Sequence, residues 1–111
     1  MNISCDTRGG LMILVVNEPR IDAAGAVDFK DRFRTLVAGF DGRVIIDMAQ
    51  VEFLDSSGLG ALVAVMKMLG GNRRLELARC GEVVRKVLTL TRMDRVFVLH
   101  DSLEDADRAA A

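Results

Sequence analysis

The run Val44–Lys67, VIIDMAQVEFLDSSGLGALVAVMK, constrains the fold of this chain more than any other segment. Val44-Ile45-Ile46 is apolar and β-branched, which fits a short strand covered on both faces. It gives way, through a short connection, to a helix that starts at Asp55-Ser56-Ser57-Gly58. Two hydroxyls therefore sit at a helix N-terminus, where unpaired backbone N–H groups and the helix dipole favour negative charge. A phosphate can be attached there without breaking a fold.

The flanking sequence repeats this alternation. Ile3–Thr7 alternates, Arg8-Gly9-Gly10 turns the chain and Leu11–Val16 runs back, which predicts a β-hairpin. Asn17–Arg20, with the single proline, ends the second strand. Asp22 is placed to cap a helix running to about Ala38, with Ala26, Phe29, Phe33, Leu36 and Val37 on one face. Arg43–Asp47 is the next strand and Ser57–Leu69 the second helix, closed by Gly70-Gly71. Arg74–Ala78 is a strand, Glu82–Leu90 a helix with Val83, Val84, Val87 and Leu88 inward, and Arg95–Leu99 the last strand. Ser102 starts a terminal helix, with Asp105 completing a weak capping box. The order ββαβαβαβα is α/β: a mostly parallel sheet built by right-handed crossovers, with an antiparallel hairpin at one edge and about four helices. The sequence leaves the strand order open.

Length and composition narrow the functional classes. A chain of 111 residues, half of them hydrophobic, forms one domain, 1–111, with one modest core. The net charge of −1 with interspersed signs offers no basic face for nucleic acid. Runs such as Leu11–Val16 are too short to span a bilayer, and the start lacks the pattern of a secretory signal. A cytoplasmic protein with no membrane partner is the expectation, with Cys5 and Cys80 reduced and packed as small hydrophobes. No metal or cofactor pattern is present. Gly58-Leu59-Gly60 and Gly70-Gly71 lack the Gly-Lys-Ser/Thr of a phosphate-binding loop, and no GxSxG or adjacent base equips Ser56 or Ser57 as an enzyme nucleophile. Asp47 reads as a loop-ordering acceptor, His100 as solvated, and Arg73-Arg74 and Arg92–Arg95 as solvated turns.

The second helix is apolar on too many sides. With Leu59 at the centre of the inward face, Leu62, Val63 and Met66 join it. The outer side then carries Ala61, Ala64, Val65 and Met68, with Lys67 the sole charge between Ser56 and Gly71. Such a helix is either buried all round or offers a docking surface, and docking suits a domain this small.

The segment Asp47–Gly60, DMAQVEFLDSSGLG, resembles the phosphoacceptor segment of the STAS domain, most closely in stand-alone bacterial anti-sigma factor antagonists of the SpoIIAA/RsbV type. Its position between an apolar strand and an apolar helix makes the resemblance specific, and it extends over nearly the whole chain. The resemblance implies the STAS fold and a binding protein rather than an enzyme. It implies Ser56 as phosphoacceptor, Asp55 as its neighbouring carboxylate and Ser57 as a second, non-acceptor hydroxyl. The implied kinase is an anti-sigma factor with a histidine-kinase-like ATPase fold. The unphosphorylated form binds that kinase and frees a sigma factor; phosphorylation ends binding and a PP2C-type phosphatase restores it. Asp22, Asp55, Ser57 and Gly58 are implied in the partner surface, together with the outer-face residues Ala61, Ala64, Val65 and Met68. Pro19 stands where that family usually has glycine, just before Ile21-Asp22. An adaptor role in a lipid-transport, transporter or stress-signalling complex, with no sigma factor, stays open beside this.

Overall fold

The computed structural model describes residues 1–108. Two faces of one sheet organise it. β1 (Ile3–Arg8) and β2 (Leu11–Val16) form the antiparallel hairpin, with Ile3 opposite Val16 and Arg8 opposite Leu11. The short β3 (Arg20–Ile21) leads into α1 (Ala23–Val37). β4 (Arg43–Asp47) lies parallel to β2, and the short β5 (Phe53–Leu54) leads into α2 (Ser56–Leu69). Then follow β6 (Glu76–Ala78), α3 (Glu82–Leu90), a 3-10 turn (Met93–Arg95), β7 (Val98–His100) and α4 (Leu103–Arg108). The main sheet runs β1-β2-β4-β6-β7, parallel after the hairpin, so each crossover joins adjacent strands.

Alternation along each strand divides the core. Met12, Leu14, Val16, Val44, Ile46 and Leu77 face a layer that includes Phe29 and Phe33 of α1, Leu62 and Val65 of α2, and Val84 and Leu88 of α3. Leu11, Ile13, Ile45 and Ala78 face the opposite way, against Ala106 of α4. Ile45 is therefore covered on its own side, as the uninterrupted Val44-Ile45-Ile46 run requires.

The order expected from sequence holds, with local corrections. β3 and β5 form a separate two-stranded parallel ladder that the sequence reading lacked. The last strand begins at Val98 rather than Arg95, because Arg92 adopts positive φ and Met93–Arg95 winds into a turn. Val83 is exposed: α3 turns only Val84 and Leu88 fully inward. Cys5 is exposed on the edge strand, while Cys80 is largely covered and burial pushes its thiol up to about 11. Arg73 and Arg74 are not free in solvent. Arg73 donates to the Phe40, Gly42 and Leu69 carbonyls, and Arg74 to those of Arg95, Val96 and Phe97. The Ser102 cap forms: its Oγ accepts from the Asp105 N–H at 3.0 Å.

Candidate functional site

The small ladder builds the site. Arg20 pairs with Phe53 and Ile21 with Leu54, so Asp22 and Asp55, the next residues of each strand, emerge side by side. Each is the N-cap of the helix that follows. Asp22 Oδ1 accepts from the Gly25 N–H at 3.3 Å, and Asp55 Oδ1 from the Gly58 N–H at 2.8 Å. The second oxygen of Asp55 accepts from the Ala23 N–H at 3.3 Å. One carboxylate thus ties together the starts of α1 and α2. Asp22 Oδ2 takes the Arg20 Nε–H at 3.1 Å, and this bond holds the Asp22 carboxyl below its ordinary range.

Pro19 contributes through its carbonyl, which accepts from the N–H groups of Glu52 and Phe53 at 2.8 and 3.1 Å. A proline has no N–H to offer, and none is needed here. The approach to β5 is fixed from below by Asp47. That side chain is 1% exposed; it accepts from the Ala49 N–H at 3.1 Å and forms an ion pair with Arg79. The loop-ordering role read from the sequence is the one it performs. Gly58 is buried where the β3 backbone crosses the first turn of α2. A Cβ there would run into the Ile21 carbonyl and lie 2.8 Å from Leu54 Cδ1. Its place in the motif follows from this close approach.

Ser56 and Ser57 are both exposed, on the first turn of α2. Asp55 occupies the Gly58 N–H, and the Asp55 carbonyl takes the Leu59 N–H. The N–H groups of Ser56 and Ser57 have no bonded acceptor among the described residues, as expected of the first turn of a helix.

The expected outer face of α2 needs correction. Ala61 and Val65 are 2% and 0% exposed and point into the core, with Gly58, Leu62 and Leu69. The true outer stripe runs from Ser56 through Gly60 to Lys67, with Val63 and Ala64 half-buried beside it. Met68 is half-buried too, packed against the core and lining a cleft with Val37, Ala38 and Phe40. The fold therefore brings together Asp22, Asp55, Ser56, Ser57 and Gly58. It leaves Ala64 on the accessible flank, places Met68 at the far end of the helix, and removes Ala61 and Val65 from any surface.

Three features were absent from the sequence reading. Arg20 lies over the Phe53 ring, its Cζ 4.4 Å from the centroid. The Asp55–Ala23 bond joins positions 32 residues apart. His100 is not solvated: its Nε2 lies 2.8 Å from Glu76, whose carboxylate also takes Arg43. No set of three His, Cys, Asp or Glu side chains among the described residues is arranged to hold a metal ion.

A mostly parallel sheet under three helices, with a separate β3–β5 ladder that leads into two tethered helix starts, defines the class. The STAS domain family model matches residues 2–106, and the chain belongs to that family. It is 32% identical over 89 residues to a STAS-domain containing protein of Pseudomonas aeruginosa, covering 79% of this chain and 87% of the relative. It is 27% identical over 106 residues to the anti-sigma-F factor antagonist RsfB of Mycobacterium tuberculosis, covering 96% of this chain and 86% of RsfB. The crystal structure of an anti-sigma factor antagonist from Mycobacterium paratuberculosis superimposes with a TM-score of 0.85 at 28% identity, over 97% of this chain and 92% of that one. No helix among the described residues is long and apolar enough to cross a membrane.

Proposed function

We propose that this chain, residues 1–111 acting as one STAS domain, is a cytoplasmic anti-sigma factor antagonist switched by phosphorylation of Ser56. The observation that carries the reading is the exposed Ser56 hydroxyl one residue beyond the Asp55 cap, in a family whose named relatives include RsfB. The unphosphorylated form binds an anti-sigma factor that is itself a serine kinase of histidine-kinase-like ATPase fold, and this frees the sigma factor. The kinase supplies the ATP site and the metal. The Ser56 Oγ displaces ADP from the γ-phosphorus and gives up its proton. A PP2C-type phosphatase reverses the modification by hydrolysis, releasing inorganic phosphate. The chain is a binding protein and a phosphoryl acceptor, with no catalytic residue of its own.

The energetics favour a local switch. Phosphoserine adds about −1.5 to −2 charge. At the α2 N-terminus the dipole contributes about 0.3–1 kcal/mol in its favour, while Asp55 and Asp22 repel it. These small opposed effects leave the fold intact. At an interface, burying an uncompensated charge costs about 2–5 kcal/mol, or roughly 30-fold to several-thousand-fold in affinity. Asp22, Asp55 and Ser57 frame the contact, with the buried Gly58 setting the backbone beneath them and Ala64 and Met68 along the helix.

Incubation with the anti-sigma kinase and ATP, followed by peptide mass spectrometry, tests the assignment. The expected label is on Ser56 and is lost in Ser56→Ala; full labelling of that variant at Ser57 would refute it. A second reading is an adaptor in a lipid-transport, transporter or stress-signalling complex with no sigma factor. Affinity capture separates the two: a small ATPase of the histidine-kinase fold supports the first, membrane transport subunits the second.

A further inference from the structure

We propose that Arg20 is the receptor within this chain for the phosphoryl group on Ser56, exchanging Asp22 for the phosphate; this rests on the reading of Ser56 as phosphoacceptor. Between Asn17 and Asp28, and between Glu52 and Met66, the segments that build the site, Arg20 is the only basic side chain. Four carboxylates share those segments with it near the ladder: Glu18, Asp22, Glu52 and Asp55. A dianion added at Ser56 enters a surface with one nearby counter-charge from β3, β5 and the two helix starts.

The arginine is held ready for such a partner. It is bonded to Asp22 through Nε, its planar head rests on Phe53, and among the described residues its two Nη groups have no acceptor. Its side chain is 58% exposed. A contiguous polar path leads to the serine: Arg20 to Asp22, the neighbouring Ala23 N–H to Asp55, and Asp55 to Ser56. A guanidinium prefers a dianionic phosphate, which accepts two parallel N–H bonds, over one bond to a carboxylate. Asp22 keeps its cap on Gly25 when Arg20 leaves. α3, which packs on β5, brings the exposed Lys86 as a competing cation; Arg79 and Arg85 are already paired with Asp47 and Asp101, and the Met1 ammonium, which lines a cleft with Arg20 and Asp22, is paired with Asp28. Movement of Arg20 to the phosphate also strips the cation from Phe53, so modification alters the partner surface on both sides of Ser56.

Phosphoserine installed at position 56 by genetic-code expansion allows a test without any kinase. The second ionisation of the phosphate is followed by phosphorus NMR in the otherwise natural chain, in Arg20→Ala and in Lys86→Ala. The expected result is a midpoint about 0.5–1 pH unit higher in Arg20→Ala, roughly three- to tenfold in proton affinity, and unchanged in Lys86→Ala. The Arg20 Nε–H resonance should also move between the serine and phosphoserine forms of the natural chain, a readout that needs no variant. An unchanged midpoint in Arg20→Ala, or an unmoved Arg20 resonance, overturns the proposal. A kinase that ignores Ser56 would defeat the proposed function and leave this titration standing. A flat titration would remove Arg20 and leave the switch standing.

Discussion

At the scale of the residue, Asp55 shows how one side chain can hold two helix starts together. Its two oxygens satisfy the Gly58 and Ala23 N–H groups, so one side chain caps α2 and locks α1 against it. Asp55→Ala is expected to cost about 1–2 kcal/mol from the cap alone, read as a lower urea midpoint at unchanged slope. Ser57→Ala, at an exposed position with no bonded side chain, should stay within about 0.5 kcal/mol of the natural protein. The capping half of Asp55's role is legible in the sequence, because Asp before Ser-Ser-Gly and an apolar run announces a helix start. The bond to Ala23 is not legible, since it depends on how β3 and β5 align across 32 residues.

At the scale of the element, α2 is set by its glycines and alanines. Gly58 packs inward where the β3 backbone crosses too close for a larger side chain, and Ala61 is buried one turn further on. A pattern reading that weights large residues therefore centres the inward face on Leu59, rotating it away from the true stripe of Gly58, Ala61, Leu62, Val65 and Leu69. A helix apolar on most sides gives periodicity little purchase, and only the backbone crossing decides the phase. The two glycines near the start should behave oppositely. Gly58→Ala forces a Cβ against the Ile21 carbonyl and should cost more than about 2 kcal/mol. Gly60→Ala meets nothing within 4 Å and should stabilise the helix by about 0.5–1 kcal/mol. Thermal unfolding of the pair checks both signs.

At the scale of the whole molecule, the two sides of the sheet are organised for different ends. One carries the three-helix layer and the exposed serine; the other holds α4 over a charged cluster. Arg43 spans Glu76 and the Ala106 carbonyl, the latter at 2.9 Å, and His100 completes the set. The strand-and-helix order was readable because each element has its own period and punctuation. This cluster was not, because Arg43, Glu76 and His100 lie on three strands and meet only once the register is fixed. Burial pushes the Glu76 carboxyl up, but the bonds from Arg43 and His100 outweigh it and hold the group below its ordinary value. With the folded value depressed, the stabilisation is complete above the unfolded carboxyl's value near 4.5 and is lost as pH falls through the lower folded value. Glu76→Gln should cost about 1–3 kcal/mol near neutral pH, and the gap to the natural protein should narrow at pH values below the ordinary carboxyl range. A gap independent of pH would show that the charge on Glu76 is not what holds α4. None of this involves Ser56, so the proposed switch and the stability of the opposite face are separable. In the proposed switch a phosphate on Ser56 acts on association and not on folding. Paired measurement of kinase affinity and melting temperature for the serine and phosphoserine-56 forms tests it most directly. The expected result is at least about 30-fold weaker binding with the melting temperature almost unmoved. Equal affinity in both forms, or a loss of binding accompanied by unfolding, would contradict it.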